Sequence, residues 1–522
     1  MYDYVVVGAG SAGCVLASRL SENPQTTVLL IEAGPPDSRR EIHMPAAFSK
    51  LFKTPVDWDF STEPQEHLHG RSLYWPRGKM LGGSSSMNAM VYIRGRRSDF
   101  DTWRDMGNPD WGFDDVLPFF QAAEARLSIA DLRCVNPLSR AFLDACAECG
   151  IAPNSDFNGE TQEGAGLYRV TQKKGVRSSA ASAYLKPALR RGNLTVWTGI
   201  HSTRILIENG RAAGVEYLQN GTLHQARAVR EVILSAGTVG SPHLLLLSGI
   251  GPLYPLESLG IAVECDLPGV GENLQDHLSV VVPYACTQPV SLAAAQTLPN
   301  LLRYLIAKRG PLTSNVAEAG AFVKSSPELA DTDLQFHFGP VYYIEHGFVT
   351  PGGPGSNKPG SGKPGLSKPG LTKHGFSLGP TLLHPKSRGR IRLRSPRPME
   401  PPSIDPAYLS DSDDLAPLAE GVRIAQRIAQ SKAFDPFRGE PYFKETDAEE
   451  YVRAHAETIY HPVGTCKMGQ DAMSVVNARL QVHGIAGLRV VDASVMPTIV
   501  SGNTNAATIM IAEKAARMIR EQ

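Results

Sequence analysis

The amino-acid sequence predicts an α/β fold, α+β overall, made of a doubly wound domain and a second domain built on a sheet. Its 522 residues exceed what one compact core normally holds, so two or more domains are expected. The first 34 residues follow the order strand, glycine turn, helix, strand, which opens doubly wound domains. Residues 286–455 instead contain short amphipathic pieces, among them the alternating strand pattern Leu334–Phe338 (LQFHF). We therefore expect the two architectures in different parts of the chain.

The N-terminal stretch Tyr2–Gly34 carries a glycine fingerprint between its two predicted strands. Gly8, Gly10 and Gly13 form the pattern G-x-G-x-x-G, which permits a tight turn, close approach of a diphosphate and close helix packing. Diphosphates bind at helix N termini, where unpaired N–H groups and the helix dipole favour anions. Glu32 follows Gly13 by 19 residues, the usual distance to an acid that accepts hydrogen bonds from a ribose. A purely structural glycine turn is the alternative, but this combination favours dinucleotide binding.

Composition and charge argue against several classes of protein. Lysine plus arginine (52) equal aspartate plus glutamate (52), so nothing suggests a nucleic-acid partner. The seven cysteines are odd in number and scattered, which argues against a disulfide framework. Cys146 and Cys149 form an isolated C-x-x-C on a helical pattern, and buried packing explains this pair better than a zinc or redox site. We therefore expect no metal site.

The sequence shows no recognisable targeting or membrane-spanning segment. The first predicted strand starts at Tyr4, which leaves no room for a signal peptide. Apolar runs such as Leu244–Leu247 are far shorter than the roughly 18 residues that a membrane span requires. We expect a soluble, cytoplasmic protein, and peripheral contact with the inner membrane remains open.

Further glycine-rich runs follow along the chain. In Arg77–Gly95, two adjacent glycines precede three serines and Asn88, which offer backbone, hydroxyl and amide donors to a polar ligand. A plain loop is the alternative for this run. Gly237–Gly251 is typical of a turn, a short helix and a glycine exit, and Pro268–His277 (PGVGENLQDH) again combines glycine turns with polar side chains. Arg77–Gly95 is therefore a candidate binding loop.

Residues 350–373 form a segment rich in lysine, proline and glycine. Lys358, Lys363, Lys368 and Lys373 recur every five residues. Proline and glycine at this density exclude a regular helix, so the plain interpretation is a partly polyproline-like tether. A lid or a membrane-facing loop is the alternative interpretation.

Candidate catalytic residues concentrate towards the C terminus. His461 follows a predicted helix, Asp447–Thr458, and the proline and glycine after it fix its backbone. Gly487–Asp492 (GLRVVD) is predicted as a buried strand ending in an acid, and Ala507–Arg520 as an amphipathic helix. The positive N terminus of that helix would point at whatever lies near Asn505. A lone histidine is more often structural, but one held in a turn near this helix indicates catalysis.

Four long motifs, in the right order, resemble those of the glucose-methanol-choline (GMC) oxidoreductases. The two family signatures correspond to GKMLGGSSSMNAMVYIRG and GTVGSPHLLLLSGIG. HPVGTCKMG (His461–Gly469) and MPTIVSGNTNAATIMIAEKAA (Met496–Ala516) resemble the catalytic end of the family. The resemblance covers nearly the whole chain and is strongest to bacterial FAD-dependent aliphatic alcohol dehydrogenases and choline dehydrogenases.

The resemblance implies FAD, bound in a doubly wound domain assembled from discontinuous segments. Met87 stands where some members carry a histidine covalently linked to FAD, so the cofactor should be non-covalent. The implied FAD-binding domain comprises residues 1–130, 185–285 and 456–522, and the sheet-based substrate-binding domain comprises residues 131–184 and 286–455. The residues implied at the cofactor are Gly8, Gly10, Ser11, Ala12, Gly13, Glu32, Ala33, Met80, Gly83, Asn88, Ala89, Met90, Val91, Ala236, Gly237, Asp492, Ala493, Thr504 and Asn505.

The resemblance also implies the reaction, in which a primary alcohol becomes an aldehyde. His461 would remove the hydroxyl proton while the α-hydride passes to flavin N5, and a neutral imidazole suits that task near its working pH. Asn503 falls where the family places its second histidine or asparagine, and it can donate a hydrogen bond to the developing alkoxide. A quinone or oxygen would then accept the electrons.

The resemblance implies two candidate classes of substrate, uncharged primary alcohols and choline. Glu318 occupies the position at which a glutamate of choline-oxidising relatives meets the trimethylammonium group. Its neighbours Ala317 and Ala319 are not the aromatic residues that a quaternary ammonium favours, so uncharged primary alcohols are preferred over choline.

Two further alternatives share the fold. A redox-inactive FAD lyase would not have its flavin bleached by alcohol, and a light-driven flavin decarboxylase would require light and a fatty acid.

Overall fold

A computed structural model describes residues 1–295, 297–348 and 373–522. Two sheets organise this part of the chain, one mostly parallel and one antiparallel. The lysine-proline-glycine segment, apart from Lys373, lies outside the described residues, so the tether interpretation stays a prediction. Among the described residues, no helix combines the length and the apolar character needed to cross a membrane.

The first sheet is the doubly wound part. Its strands are near-continuous apolar runs such as Tyr2–Val7 (YDYVVV), typical of parallel strands covered on both faces. The parallel strands, in spatial order, are Leu488–Val490, Thr222–Leu234, Tyr2–Val7, Val28–Glu32 and Leu194–Thr198. Thr222–Leu234 extends beyond the parallel part and forms an antiparallel meander with Arg211–Gln219 and His201–Glu208.

The first and last long helices of the chain pack together beside this sheet. Ser11–Leu20 follows the glycine fingerprint, and Asn505–Arg520 buries an apolar face that includes Ile509 and Ala512. The Arg19 guanidinium makes a bidentate pair with the Glu513 carboxylate, with both N–O distances at 2.8 Å. Other helices of the described chain include Arg97–Asp105, Phe113–Leu127, Gly237–Leu247, Leu253–Ser258, Leu298–Ala307 and Ala448–His455.

The second sheet is antiparallel and carries helices on one face. Among the described residues its strands, in order, are Arg438–Pro441, Val282–Cys286, Gly375–Leu382, Leu334–Gly339, Ala319–Val323 and Gly164–Leu167; Leu278–Val280 and Ala456–Thr458 pair beside Gly375–Leu382. Helices Pro137–Glu148 and Leu415–Ala429 cover this sheet. Leu418, Val422 and Ala425 recur at helical spacing and are fully buried in the shared core, which is why Leu415–Ala429 lies against the sheet.

The structure confirms the α/β prediction but moves several boundaries. Leu278–Val280 and Val282–Cys286 belong to the antiparallel sheet, although all of these residues except Cys286 fall in the segment 185–285 expected in the FAD-binding domain. The expected helix Asp447–Thr458 ends at His455, because Ala456–Thr458 pairs as a strand with Leu278–Val280. The chain therefore passes between the two sheets just after the Pro268–His277 turn and returns just before His461.

Candidate active site

A cleft of about 1010 Å³ lies where the two sheets meet. Val7 and Ile31 of the parallel sheet line it, together with Ser279, His337 and Gly379 of the antiparallel sheet. The cleft thus opens at the carboxyl ends of the parallel strands, where ligands bind in open α/β sheets. Its volume is at the upper end of ordinary ligand sites, which suits a large cofactor.

The three fingerprint glycines have different roles. Gly8 has a φ of +97°, and a Cβ there would lie 2.5 Å from the Ser235 carbonyl oxygen. A Cβ on Gly13 would lie 1.8 Å from the Gly8 carbonyl oxygen, so both positions require glycine for packing within the chain. Gly10 differs, because its nearest atom to a Cβ is 3.9 Å away and the residue faces the cleft. Gly10 therefore leaves room for a ligand rather than for the protein.

Three of the described helices begin at the cleft. They are Ser11–Leu20, Gly237–Leu247 and Asn505–Arg520, and their first residues line the cavity. The Ser11 hydroxyl donates to the Asn505 side-chain oxygen at 2.7 Å, which fixes two of these helix ends side by side. The first N–H groups of a helix lack partners within that helix, and the dipole makes this end positive. The site is therefore preorganised for anionic groups such as a diphosphate.

Glu32 ends the second parallel strand beside the glycine turn. Its two carboxylate oxygens accept hydrogen bonds from the backbone N–H groups of Ala9 (2.9 Å) and Gly34 (2.8 Å). Burial raises its pKa to about 7, although these hydrogen bonds and the nearby Lys79 oppose the shift. A carboxylate has about four acceptor positions, so each oxygen keeps one for a ligand in the cleft.

Asp492 is bound within the protein more completely. One of its oxygens accepts from the N–H (2.8 Å) and hydroxyl (2.6 Å) of Ser494. The other accepts from the Gly237 N–H (2.9 Å) and the Ser241 hydroxyl (2.5 Å). All of the roughly four acceptor positions of the carboxylate are occupied. Asp492 therefore fastens the loop before Ala493 to the helix Gly237–Leu247, instead of offering an acceptor to a ligand.

Hydrogen bonds determine which nitrogen of His461 carries its proton. His277 Nε2 lies 3.0 Å from the Leu383 carbonyl oxygen, and a carbonyl only accepts, so this nitrogen is protonated. Burial lowers the pKa of His277 to about 3, so the ring is neutral and its Nδ1 is an acceptor. His461 Nδ1 lies 2.9 Å from that acceptor and must be the donor. In a neutral His461 ring, Nε2 is consequently unprotonated.

Burial lowers the pKa of His461 well below its usual value, and the neighbouring rings of His277 and His337 and the Arg77 guanidinium act in the same direction. His461 is thus neutral near pH 7, with a lone pair on Nε2 that faces the cleft. Its position is fixed by its own backbone N–H, which donates to Asp276 at 2.8 Å. Asp276 is fully buried and also accepts from the hydroxyls of Thr458 and Tyr408. His461 is therefore held as a neutral base by groups on both sides.

The Asn503 side chain directs its N–H₂ donor at His461 Nε2. Its side-chain N–H₂ lies 3.1 Å from His461 Nε2, and its oxygen accepts from Gln335 at 3.3 Å. Gln335 also donates to the Tyr168 hydroxyl (3.0 Å), which donates to the Phe336 carbonyl oxygen (2.8 Å). This chain fixes the orientation of the Asn503 amide. A hydroxyl group that replaces the contact between His461 and Asn503 would donate to Nε2 and accept from the amide.

Strained backbone surrounds this point. Met90, Val316 and Tyr460 line the cleft with φ values of +61°, +73° and +74°, which non-glycine residues adopt rarely. The Met90 N–H donates to the Asn88 side-chain oxygen at 3.1 Å, which holds the loop in this conformation. Each such residue costs about 1–3 kcal/mol and persists where the surrounding fold imposes it, most often at functional sites.

One wall of the cleft near His461 is aromatic. Phe48, Phe52, Tyr343 and Tyr460 line it, and the Tyr343 and Tyr460 hydroxyls lie 2.9 Å apart. The Tyr460 hydroxyl is also 2.6 Å from Nδ1 of His346, so its polar end is paired. The wall therefore presents ring faces and edges, a surface that suits an apolar substrate.

Most of the predicted site residues line this cleft, but Gly13, Met80 and Glu318 do not. Gly13 packs against Gly8, and Met80 is fully buried in an apolar cluster with Phe52 and Met87, so neither meets the cavity. The predicted residues that line it are Gly8, Gly10, Ser11, Ala12, Glu32, Ala33, Gly83, Asn88, Ala89, Met90, Val91, Ala236, Gly237, His461, Asp492, Ala493, Asn503, Thr504 and Asn505.

The structure corrects the interpretation of Glu318 as a substrate residue. Glu318 is 1% exposed and is not part of the cleft lining, which its neighbour Ala317 reaches. Its carboxylate accepts hydrogen bonds of 2.6 to 2.8 Å from Asn136, Ser139 and Ser314. Because these bonds satisfy it internally, Glu318 joins the segments that carry Ser139 and Ser314 and does not line the cleft.

The sequence interpretation missed the groups that orient His461 and Asn503. Asp276 and His277 end the run PGVGENLQDH, which was recognised only as a polar glycine turn. An adjacent acid and histidine directly after such a turn was the available signal. Gln335 lies in the strand Leu334–Gly339, and its role has no local signal because its partners are distant in the chain.

The fold and the cleft are those of a dinucleotide-binding oxidoreductase. Gly10 leaves space, three helix ends attract anions and Glu32 retains acceptors, so the residues present fit FAD. Family models described as GMC oxidoreductase match residues 2–279 and 385–512. The chain belongs to the GMC oxidoreductase family.

Individual relatives agree with that assignment. The chain is 45% identical to an alcohol dehydrogenase (acceptor) of Pseudomonas putida, over 99% of this chain and 96% of the relative. It is 44% identical to the mitochondrial choline dehydrogenase of Homo sapiens, over 100% and 90%. Pyridoxine 4-oxidase from Mesorbium loti has a TM-score of 0.87 at 31% identity, with 100% of both chains covered. A formate oxidase from Aspergillus oryzae, solved in a study of its FAD modification, has a TM-score of 0.90 at 26% identity, covering 100% and 98%.

Proposed function

We propose that this protein oxidises uncharged primary alcohols to aldehydes, with non-covalently bound FAD and with a quinone or oxygen as the final acceptor. The observation that carries the proposal is the hydrogen-bond chain from Leu383 through His277 to His461. It leaves Nε2 of His461 unprotonated and facing a cleft that fits FAD. The identity of 45% with an alcohol dehydrogenase (acceptor) supports an alcohol as the substrate.

His461 and Asn503 divide the work on the alcohol oxygen. Nε2 of His461 accepts the hydroxyl proton, and the ring is neutral near pH 7 because its pKa is lowered. The Asn503 amide donates a hydrogen bond to the oxygen as negative charge develops there, and it cannot compete for the proton. The amide N–H₂ bonds to Nε2 at 3.1 Å, and the alcohol hydroxyl replaces that bond, donating to Nε2 and accepting from the amide.

The cofactor would be held by the glycine turn, Glu32 and the three helix ends. Gly10 would face the diphosphate, and Glu32 would accept from the ribose. Thr504 and Asn505, at the start of the C-terminal helix, favour negative charge at the reacting end of the cleft. When bound, FAD supplies the acceptor for the two electrons and the α-hydrogen of the alcohol.

The character of the cleft supports uncharged alcohols. Phe48, Phe52, Tyr343 and Val316 form apolar surface near His461. Glu318, the carboxylate expected to meet a trimethylammonium group, points into the fold and is satisfied there. An apolar alkyl or aryl chain can occupy this surface without leaving a buried charge unpaired.

Choline is the second candidate. The faces of Phe52, Tyr343 and Tyr460 are the type of surface that binds quaternary ammonium groups. The identity of 44% with human choline dehydrogenase favours the same substrate. A comparison of choline with aliphatic and aryl primary alcohols decides between the two classes.

The decisive experiment is anaerobic bleaching of the flavin with a panel of alcohols. Uncharged primary alcohols should reduce the flavin faster than choline at equal concentration. Faster reduction by choline would assign the second candidate. A flavin that no alcohol bleaches would contradict alcohol oxidation and favour a lyase, and conversion of a fatty acid only under light would favour a decarboxylase.

Substitution of His461 tests the base directly. His461→Ala should retain FAD but slow flavin reduction by roughly 10²- to 10⁴-fold, the usual contribution of a positioned general base. Asn503→Ala should cost less, because it removes one hydrogen bond and leaves the base in place. Stopped-flow reduction, normalised to bound FAD, measures both variants. Near-normal reduction in His461→Ala would place the base on another residue.

A further inference from the structure

The helix Leu298–Ala307 turns its apolar face to solvent. Leu298, Leu302, Leu305 and Ile306 are 67%, 48%, 46% and 84% exposed. At 3.6 residues per turn these side chains, with Leu301, share one face of the helix. Within this helix, all of whose residues are described, Tyr304 is the buried side chain, and it lies on the opposite face. A contiguous exposed apolar face of this kind marks an interaction site.

The helix is held firmly in this orientation. The Tyr304 hydroxyl donates to the His43 carbonyl oxygen at 3.1 Å, and its ring packs with Leu292 and Leu312. The same cluster contacts Met44 and Ala46, which lead into the segment that carries Phe48 and Phe52. The apolar helix therefore lies behind the aromatic wall of the cleft, and its outward face is a property of the fold.

The charged side chains in the stretch of sequence around this helix have one sign. Residues 277–317 contain no aspartate and no glutamate. Arg303, Lys308 and Arg309 lie within or directly after the helix, and Lys308 Nζ is 4.6 Å from the centre of the Tyr304 ring. An apolar stripe with flanking cations is the composition of helices that lie in a membrane interface. A second copy of this chain would instead bring two sets of cations together, which opposes self-association.

We propose that the helix Leu298–Ala307 docks the protein on a membrane surface that contains anionic lipids. The apolar stripe (Leu298, Leu301, Leu302, Leu305 and Ile306) enters the headgroup region, and the exposed Arg303 and Arg309 contact lipid phosphates. The contact is peripheral. It requires no step of the proposed alcohol chemistry, so vesicle binding tests it whether or not the enzyme is active.

The first test is co-sedimentation of the FAD-loaded protein with vesicles. The protein should bind vesicles of phosphatidylcholine with phosphatidylglycerol and bind pure phosphatidylcholine weakly. A triple variant, Leu302→Ser, Leu305→Ser and Ile306→Ser, should lose binding because its stripe is gone. A matched control, Leu223→Ser with Val229→Ser, changes two side chains that are 57% and 56% exposed on another surface, and should bind like wild type.

A charge variant tests the electrostatic contribution to vesicle binding. Arg303→Gln with Arg309→Gln should weaken binding to the anionic vesicles at least about tenfold and reduce its salt dependence. Circular dichroism and FAD content check that each variant is folded. Equal vesicle binding by wild type and by a folded triple variant would overturn the proposal. So would a wild-type dimer, measured by light scattering, that the triple variant converts to monomer while vesicle binding is absent in both.

Discussion

At the scale of single residues, function depends on which nitrogen of each imidazole carries a proton. Two neutral histidines share one hydrogen bond of 2.9 Å, and the Leu383 carbonyl at one end fixes the direction of the whole chain. His277 is fully buried, does not line the cleft and contacts His461. It is therefore a positioning residue for the proposed base.

Substitution of His277 tests this role. His277→Ala leaves the His461 Nδ1–H without its buried acceptor, so the ring can take the other tautomer. Loss of one buried hydrogen bond costs about 1–3 kcal/mol, so flavin reduction should slow about 10- to 100-fold at normal FAD content. His277→Gln offers both an acceptor and a donor and should recover part of the rate. If His277→Ala and His277→Gln reduce flavin equally, the tautomer is set by other groups.

The pH dependence of the wild-type reductive rate is a second check at this scale. Burial and nearby positive charge lower the pKa of His461 well below its usual 6.5. The imidazole therefore stays neutral as pH falls through 6.5, and the rate should decline only at lower pH, when the imidazolium form can no longer accept a proton. Stopped-flow reduction across about pH 5 to 9 measures this. A decline centred above 6.5 would contradict the assignment.

The position of a residue at the cleft could be predicted from the sequence where the residue stands in one long motif. Gly10, Glu32 and His461 stand in long motifs, and each reaches the cleft as expected. Glu318 was placed wrongly, because sequence position does not reveal that Ser139 and Ser314 would approach its carboxylate from other segments. The direction in which a side chain points depends on these distant neighbours.

At the scale of elements, the site is formed where three helices begin. Ser11–Leu20, Gly237–Leu247 and Asn505–Arg520 each follow a loop that ends at the cleft. The last of these was predicted as Ala507–Arg520, and it starts two residues earlier. The crossing between sheets was missed, because Leu278–Val280 and Ala456–Thr458 are short strands whose partners are each other rather than their chain neighbours.

Two alanine substitutions separate binding from folding at the glycine turn. Gly10→Ala places a Cβ 3.9 Å from the nearest protein atom, so the protein should fold but lose FAD. Gly13→Ala places a Cβ 1.8 Å from the Gly8 carbonyl oxygen, so the helix cannot pack and soluble protein should fall sharply. Soluble yield, circular dichroism and flavin content of both variants measure the difference. Full FAD content in Gly10→Ala would show that no ligand group lies against that position.

At the scale of the whole molecule, the cleft lies along the junction of the two sheets. Its lining comes from both, with Val7 and Ile31 on one side and His337 and Gly379 on the other. A ligand bound there contacts both halves of the core. Ligand binding to the folded state alone therefore stabilises the entire fold.

The state of the cofactor can be measured on the whole protein. Met87 lines the cleft and has no nucleophilic nitrogen, so acid or heat should release free FAD from the purified yellow protein. The FAD-free protein should melt at a lower temperature, and FAD at about 100 times its Kd should restore about 2.7 kcal/mol of stability. Flavin that stays on the polypeptide after acid precipitation would contradict non-covalent binding.

The lowered pKa of His461 also governs how the catalytic cycle closes. An imidazole that is reluctant to hold a proton gives it up readily once the aldehyde has formed. The resting, base-ready form is then regained without a separate catalyst, since discharge to water is downhill at neutral pH. The same reluctance makes proton capture unfavourable on its own, so coupling capture to loss of the α-hydrogen would favour it. Burial thus makes His461 a weaker base but speeds its return to the neutral form between turnovers.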